Sequence, residues 1–295
     1  MKDNLVIATA FDDTVRIYAA VTTGVAETAR QLHRTWPTAT AVLGRLLTAT
    51  LIMGVMSDNP YRLTVRISGN GPVGEAVAVS NRRGKVKGYL TNPQVDLDLN
   101  AQGKLNVAGA IGKGTLTVTK DLGLKEPYHG IIPLQSGEIA EDLAYYFTKS
   151  EQTPSAVALG VLIAPEGAVK VAGGLIIQLM PHASEATITW LEAKLQAIPS
   201  LTSILESGLS ALQLLQELFG ASTGLKILEQ IADISYQCDC SREKFLGPLL
   251  SLGAAELEGA VNEQGRLEVC CQFCNKLYYY QIADLMQQTG RDNNA

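Results

Sequence analysis

Hydrophobic and polar positions alternate along LVIATAFDDTVRIYAAV, from Leu5 to Val21. Residues two apart share one face of a strand, so this stretch predicts a β-hairpin that turns around Asp12 and Asp13. From Thr23 to Met56 the spacing becomes helical, and Pro37 separates VAETARQLHRT from the apolar run that follows, which predicts two helices. Period two returns from Tyr61 to Pro93, interrupted at Gly69 to Gly74 and at Asn81 to Gly84, the pattern of an antiparallel meander. A further strand is expected in KGTLTVTKD, a helix over GEIAEDLAYYFTKSEQ, and a last hairpin over ALGVLIAPEGAVKVAGGLIIQLMP, ending near Pro181. Residues 1–181 therefore read as one α+β domain with mostly antiparallel sheet.

After His182 the texture changes to leucine-rich runs, SEATITWLEAKLQAI, SLTSILESGLSALQLLQELFG and STGLKILEQIADI, all expected to be helical. Ser184 suits an N-cap, and Ser203 with Glu206 has capping-box spacing. Ile188, Leu191, Leu195 and Ile198 form an apolar stripe that Ile204, Leu205, Leu209, Leu212, Leu215 and Leu218 extend. Such a stripe needs a surface to cover it, either a permanent dock on the first domain or one that releases it on demand. The expected organisation is a core domain at 1–181, a helical middle segment at 182–233 and a small C-terminal domain at 234–295.

Composition narrows the partners. The chain of 295 residues is 46% hydrophobic and 18% charged, enough to bury a large core. Its net charge of -5 speaks against a nucleic-acid partner, which calls for a basic face. The longest apolar run, Ala41 to Met56, is short and carries Arg45, so it predicts a buried helix and no membrane partner. Asp3, Asp12, Asp13 and Arg16 do not fit an export signal, so the expected compartment is the reducing cytoplasm. There, clustered cysteines serve metal or redox chemistry more often than a permanent scaffold.

Two glycine motifs are discounted. Gly69, Gly71 and Gly74 match GxGxxG, but a dinucleotide turn needs a helix to start at the third glycine, and strand-like EAVAVS follows. AGAIGKGTL lacks the first glycine of a P-loop, because position 107 is Val.

All five cysteines lie between Cys238 and Cys274. Cys238 and Cys240 form a CxC, and Cys271 and Cys274 form a CxxC thirty residues further on. Two close pairs of thiolates from distant segments suit tetrahedral Zn2+, each pair supplying one edge of the tetrahedron. The three histidines, His33, His129 and His182, lie far upstream, which favours four sulfur ligands. Cys270 could replace Cys271 in a CxxxC pair, although the two-residue spacing suits a knuckle turn better and Cys270 fits the preceding strand, RLEVC. Arg242, Lys244 and Lys276 are placed either to offset the charge of -2 on a four-thiolate zinc site or simply to face solvent. A structural zinc clip is one reading of this window. The CxC points to another, because bridging it closes a small strained ring, and such disulfides are oxidising and reversible. Thiolates are the form that oxidants attack, and losing a structural metal unfolds a module too small to hold a core.

The chain resembles the redox-regulated 33 kDa chaperonin, or heat-shock protein 33, family. The likeness rests on CDC, CQFC, GNGPVG, NRRGKVKGYLTNP, KSEQTPSAVALGV and VAGGLIIQLMP, and so spans nearly the whole chain. The resemblance implies one zinc held by Cys238, Cys240, Cys271 and Cys274 in a reduced, inactive form. It further implies disulfides Cys238 to Cys240 and Cys271 to Cys274 on oxidation. It also implies an oxidised homodimer that holds unfolding or oxidatively damaged client proteins without hydrolysing ATP, with no catalytic residues. Cys270 is a departure, an extra thiol beside the third expected ligand. Two alternatives stand beside this reading. A thiol-disulfide oxidoreductase would place one CxxC at a helix N-terminus, whereas this one lies between strand-like LEV and LYYY. A zinc-ribbon docking module would use Tyr278, Tyr279 and Tyr280 as a reading surface, although alternating tyrosines also pack on a small core.

Overall fold

The computed structural model describes residues 2–56, 62–198, 200–252, 254–262 and 264–285, with the side chains of 254, 255 and 258 excepted. Tyr61, where the meander was expected to begin, lies outside the described residues. The chain forms two compact units, Met1–Gln237 and Cys238–Ala295.

In the first unit, β1 (Asn4–Ala10) and β2 (Val15–Val21) make the opening hairpin. Phe11, Asp12 and Asp13 all take positive φ in the turn, a region that aspartate tolerates. Thr9 Oγ1 donates to Asp13 Oδ1, and Lys226 pairs with Asp13 Oδ2 at 3.0 Å. The helices α1 (Thr23–His33) and α2 (Pro37–Val55) follow. Asp3 accepts from the Gly24 and Val25 amides at 2.8 and 2.7 Å, so its carboxylate satisfies free donors of the first turn of α1. Pro37 opens α2, where the amide it lacks would have no partner in the helix. α2 is long and apolar enough to cross a membrane, but 94% of its apolar window is buried within the protein. It is the central core helix. Gly54 lets it approach Ser80, whose hydroxyl donates to the Thr50 carbonyl at 2.6 Å.

The meander is β3 (Arg62–Gly69), β4 (Glu75–Asn81) and β5 (Lys85–Leu90). The GxGxxG match is its first turn, and Gly74 leads into β4, not into a helix. Short α3 (Val107–Ile111) precedes β6 (Gly114–Asp121), and β7 (Tyr128–Pro133) pairs with β6. α4 (Ala140–Ser150) leads to the hairpin β8 (Ser155–Ile163) and β9 (Val169–Leu179). Neither α3 nor β7 was expected; β7 carries a glycine and ends in proline, which hides its period.

The helical text after His182 gives α5 (Glu185–Gln196), α6 (Leu201–Leu205) and α7 (Ala211–Phe219). Ser184 caps α5 as expected, accepting from the Thr187 amide at 3.1 Å. The capping box expected at Ser203 and Glu206 is corrected. Ser203 lies inside α6, Ser200 is the cap, and a capping box forms instead between Ser210 and Gln213 at the start of α7. The reason is the break at Gly208, where φ is +87°, which splits the expected single run into two helices. The third run, STGLKILEQIADI, is also corrected. After a 3-10 turn at Ala221–Thr223 it forms β10 (Lys226–Ile231), an edge strand paired with β1. Main-chain pairing across the sheet overrides the local helical pattern.

Two sheets result, ordered β10-β1-β2-β9-β8 and β11-β5-β4-β3-β6-β7, where β11 (Ser235–Tyr236) runs parallel to β5. The first sheet is apolar on both faces. Leu5, Ile7 and Tyr18 join α1 and α2 in the main core, while Val6, Ala8 and Ile17 face α5, α6 and α7. Leu214, Leu215, Leu218 and Phe219 bury the leucine stripe there, and Trp190 meets Phe11 edge-on and Phe219 at a tilt.

The second unit contains α8 (Arg242–Leu250), α9 (Ala254–Gly259) and the hairpin β12 (Arg266–Cys270) and β13 (Leu277–Gln281).

Candidate metal centre

The β12–β13 hairpin sets the cysteine geometry by parity. Leu267, Tyr278 and Tyr280 point inward, whereas Arg266, Glu268 and Cys270 alternate outward. Cys270 is accordingly exposed. Cys271, one residue past the strand, turns in and is 3% exposed. The chain then folds into a tight turn. The Cys274 and Asn275 amides donate to the Cys271 carbonyl at 3.2 and 2.8 Å, and Asn275 takes φ of +57°. This knuckle brings Cys274 beside Cys271.

The other pair comes from the segment before α8. Ser241 caps that helix, its Oγ accepting from the Lys244 amide at 3.3 Å, and Cys238 and Cys240 lie just upstream. The four sulfurs of Cys238, Cys240, Cys271 and Cys274 lie within 4.8 Å of one another, and each cysteine is a free thiol. Cys238 Sγ is 3.7 Å from Cys271 Sγ, and Cys240 Sγ is 3.4 Å from Cys274 Sγ. Zn–S bonds of about 2.3 Å in a tetrahedron give S···S edges of about 3.8 Å. The donor set fits a metal ion of that kind. Cys270 stands outside the group.

Polar and aromatic partners complete the centre. The Tyr278 hydroxyl donates to the Cys240 carbonyl at 3.0 Å and lies 3.1 Å from its sulfur. Tyr280 donates to the Arg242 carbonyl at 2.7 Å, with the Arg242 guanidinium 4.4 Å above its ring. Both tyrosines are buried and Tyr279 is exposed, so the tyrosine run is mainly part of the wall of the site. Lys244 bonds Asp239, Arg242 donates to the Tyr279 carbonyl, and Lys276 sits 5.2 Å over the Tyr278 ring. These three cations surround the module through tyrosines and Asp239, with no direct contact to sulfur among the described residues. Sequence reasoning offered Tyr278 either as part of a reading surface or as packing, and missed its hydrogen bond to a thiol. The strict alternation after the CxxC was the available signal.

Burial raises the thiols of Cys238, to about 11, and Cys274. Burial also acts to raise Cys240, but bonds from Tyr278 and the neighbouring thiols outweigh it and hold Cys240 down at about 7. Donation to Cys240 in turn raises the Tyr278 phenol. Without a metal, Cys240 therefore ionises more readily than Cys238 or Cys274, and binding a divalent ion has to displace the protons still held.

The small core of this unit is built on the same residues. Leu249, Leu257, Leu267, Tyr278, Tyr280 and Leu285 surround Cys271, and the other three cysteines pack against them.

The profile of the family described as Hsp33 protein matches residues 3–281. The chain is 48% identical over 288 residues to the 33 kDa chaperonin of Geobacillus kaustophilus, covering 97% of both chains. It is 45% identical over 285 residues to that of Staphylococcus carnosus, covering 96% of each. The crystal structure of the 33 kDa chaperonin, a heat shock protein 33 homologue, from Thermotoga maritima superposes with a TM-score of 0.89 at 39% identity, over 100% of both chains.

Proposed function

Since the chain belongs to the Hsp33 family, a chaperone family, we propose that it is a redox-regulated, ATP-independent holdase of the cytoplasm. The observation that carries this reading is the convergence of four free thiols within 4.8 Å against the small core of the second unit. Cys238, Cys240, Cys271 and Cys274 would hold one Zn2+, which when bound ties two distant segments together and keeps the sulfurs ionised.

The rest follows from the residues. An oxidant such as peroxide takes two electrons from each pair of thiolates, a sulfur–sulfur bond forms, and the peroxide leaves with two protons as two waters. With Cys238 joined to Cys240 and Cys271 to Cys274, no thiolate remains to hold a metal. A structural zinc is worth about 10–16 kcal/mol to a small module, and two disulfides across such short loops restore little of it. The redox domain at 234–295 then unfolds. We assign client holding to apolar surface exposed once the module has unfolded, foremost the leucine stripe of the middle segment at 182–233, which covers one face of the first sheet in the reduced form and would have to leave it. Unfolding or oxidatively damaged proteins are the expected clients, and a homodimer is the expected oxidised form. The function requires no catalytic group.

The test is a peroxide titration of the wild type and Cys271→Ser that follows metal release, free thiols and light scattering by a heat-denatured client. The expected result for the wild type is loss of one zinc and four thiols together with gain of protection. Zinc retained under peroxide, or equal protection in both redox states, would return the centre to a structural clip. Catalytic turnover of dithiol substrates would establish an oxidoreductase instead.

A further inference from the structure

The first sheet ends at β8, and the structure leaves part of that edge open. The Leu179 amide donates to the Pro154 carbonyl, so residues 154 and 179 form a hydrogen-bonded pair. Alternation then gives residues 156, 158, 160 and 162 to the ladder with β9 and turns the amides and carbonyls of Leu159 and Val161 outward. Pairing on the other side of β9 has the matching parity, since the Thr22 amide donates to the Ala172 carbonyl. Leu159 and Val161 have no main-chain partner on this outer side among the described residues.

A cavity of about 490 Å³ runs along the same stretch, lined by every residue from Leu159 to Pro165. Side chains from both faces of one strand line a single space only when that space lies at the strand's edge. Its far walls come from Leu99 and Leu105 on one side and the start of α6, at Leu201, on the other. The charged groups at the cavity are Arg45 and Lys104. Arg45 gives one nitrogen to Glu138 at 2.6 Å, but its Nε is buried without a partner. The Lys104 ammonium is exposed and unpaired among the described residues.

We propose that this edge docks an extended apolar polypeptide segment carrying an acidic side chain, which joins the first sheet as a strand beside β8. The proposal rests on the chaperone reading and names the polypeptide chemistry its surface takes. Free main-chain donors and acceptors select an extended peptide. The apolar walls select its side chains, and the cations select the acid. Charge also disfavours a second copy of the chain, since pairing two β8 edges would oppose like charges.

The test uses the full 15N-labelled chain, reduced and oxidised, with a capped seven-residue peptide of alternating valine and threonine around a central glutamate. Hydrogen exchange at the Leu159 and Val161 amides should be fast in the free protein and slow at least tenfold with peptide. N-methylation of alternate peptide amides should abolish the effect. Lys104→Glu should weaken binding at least fivefold, and a peptide with lysine in place of glutamate should regain it. No slowing at these amides in either redox state, or equal binding of the N-methylated peptide, would overturn the proposal. Slowing that appears without peptide as protein concentration rises would also overturn it, in favour of self-association. Client protection with these amides unchanged would sink the groove and leave the chaperone reading standing. The converse, a peptide fingerprint without client protection, would fail that reading alone.

Discussion

Tyr278 hydrogen-bonds both the carbonyl and the sulfur of Cys240, at 3.0 and 3.1 Å, so one phenol holds the backbone and favours the thiolate of a single cysteine in the cluster. In the metal-free reduced protein, alkylation of Cys240 should follow a midpoint near 7. Tyr278→Phe should move that midpoint upward and slow alkylation at pH 7 severalfold, as read by mass spectrometry of the modified peptide. An unchanged midpoint would assign the low value to the neighbouring thiols alone.

Cys270 and Cys271 are adjacent in sequence but on opposite sides of the hairpin surface. Cys270→Ser should leave metal content, thiol release and client protection unchanged. Cys271→Ser should lower metal affinity by orders of magnitude and unfold the second unit under native conditions, seen by circular dichroism and metal analysis.

The shortest sulfur separations in the folded cluster cross between segments, Cys238 to Cys271 and Cys240 to Cys274. Disulfide mapping after peroxide should nevertheless give Cys238 to Cys240 and Cys271 to Cys274. Each of these pairs lies within one short segment, so its bridge needs only a local turn to adjust, whereas crossed bridges would staple the two segments together and keep the module folded. Crossed bridges would mean that oxidation completes inside the folded cluster, without unfolding.

Glu27 ties α1 to the start of β9. Its carboxylate accepts from Arg30 at 2.8 and 2.7 Å, from Gln31 at 2.7 Å and from the Val169 amide at 2.9 Å. Chiefly through Arg30, these bonds lower its pKa from 4.5 to about 2. A lowered folded value means that the stabilisation is complete above about pH 4.5 and disappears as the pH falls towards 2. Glu27→Gln should therefore cost about 1 kcal/mol at pH 7 and progressively less in acid, measured as the difference in urea midpoints across pH.

A Cβ on Gly71 would lie 2.4 Å from the Ala110 carbonyl oxygen, so the backbones of the β3–β4 turn and α3 would have to separate. Gly71→Ala should destabilise by about 1–3 kcal/mol. Calorimetry should show no ATP-dependent stabilisation of the wild type, because this glycine serves packing. A nucleotide-dependent rise in Tm would reverse that assignment.

The sequence by itself determined most elements of the first unit, because a strand's period of two and a helix's of 3.6 are local properties that Leu5 to Val21 and Thr23 to Val55 express without help. It also determined which cysteines were candidates for one centre, since two close pairs can each offer one edge of a tetrahedron. Tertiary structure decided what depends on neighbours distant in the chain. Lys226–Ile231 became a strand because β1 offered an unpaired edge, a demand invisible in STGLKILEQIADI. The break at Gly208 split one leucine run into two helices laid on the first sheet. Only the folded hairpin turned Cys270 out and Cys271 in, and only it brought the Tyr278 hydroxyl to Cys240 across 38 positions of chain.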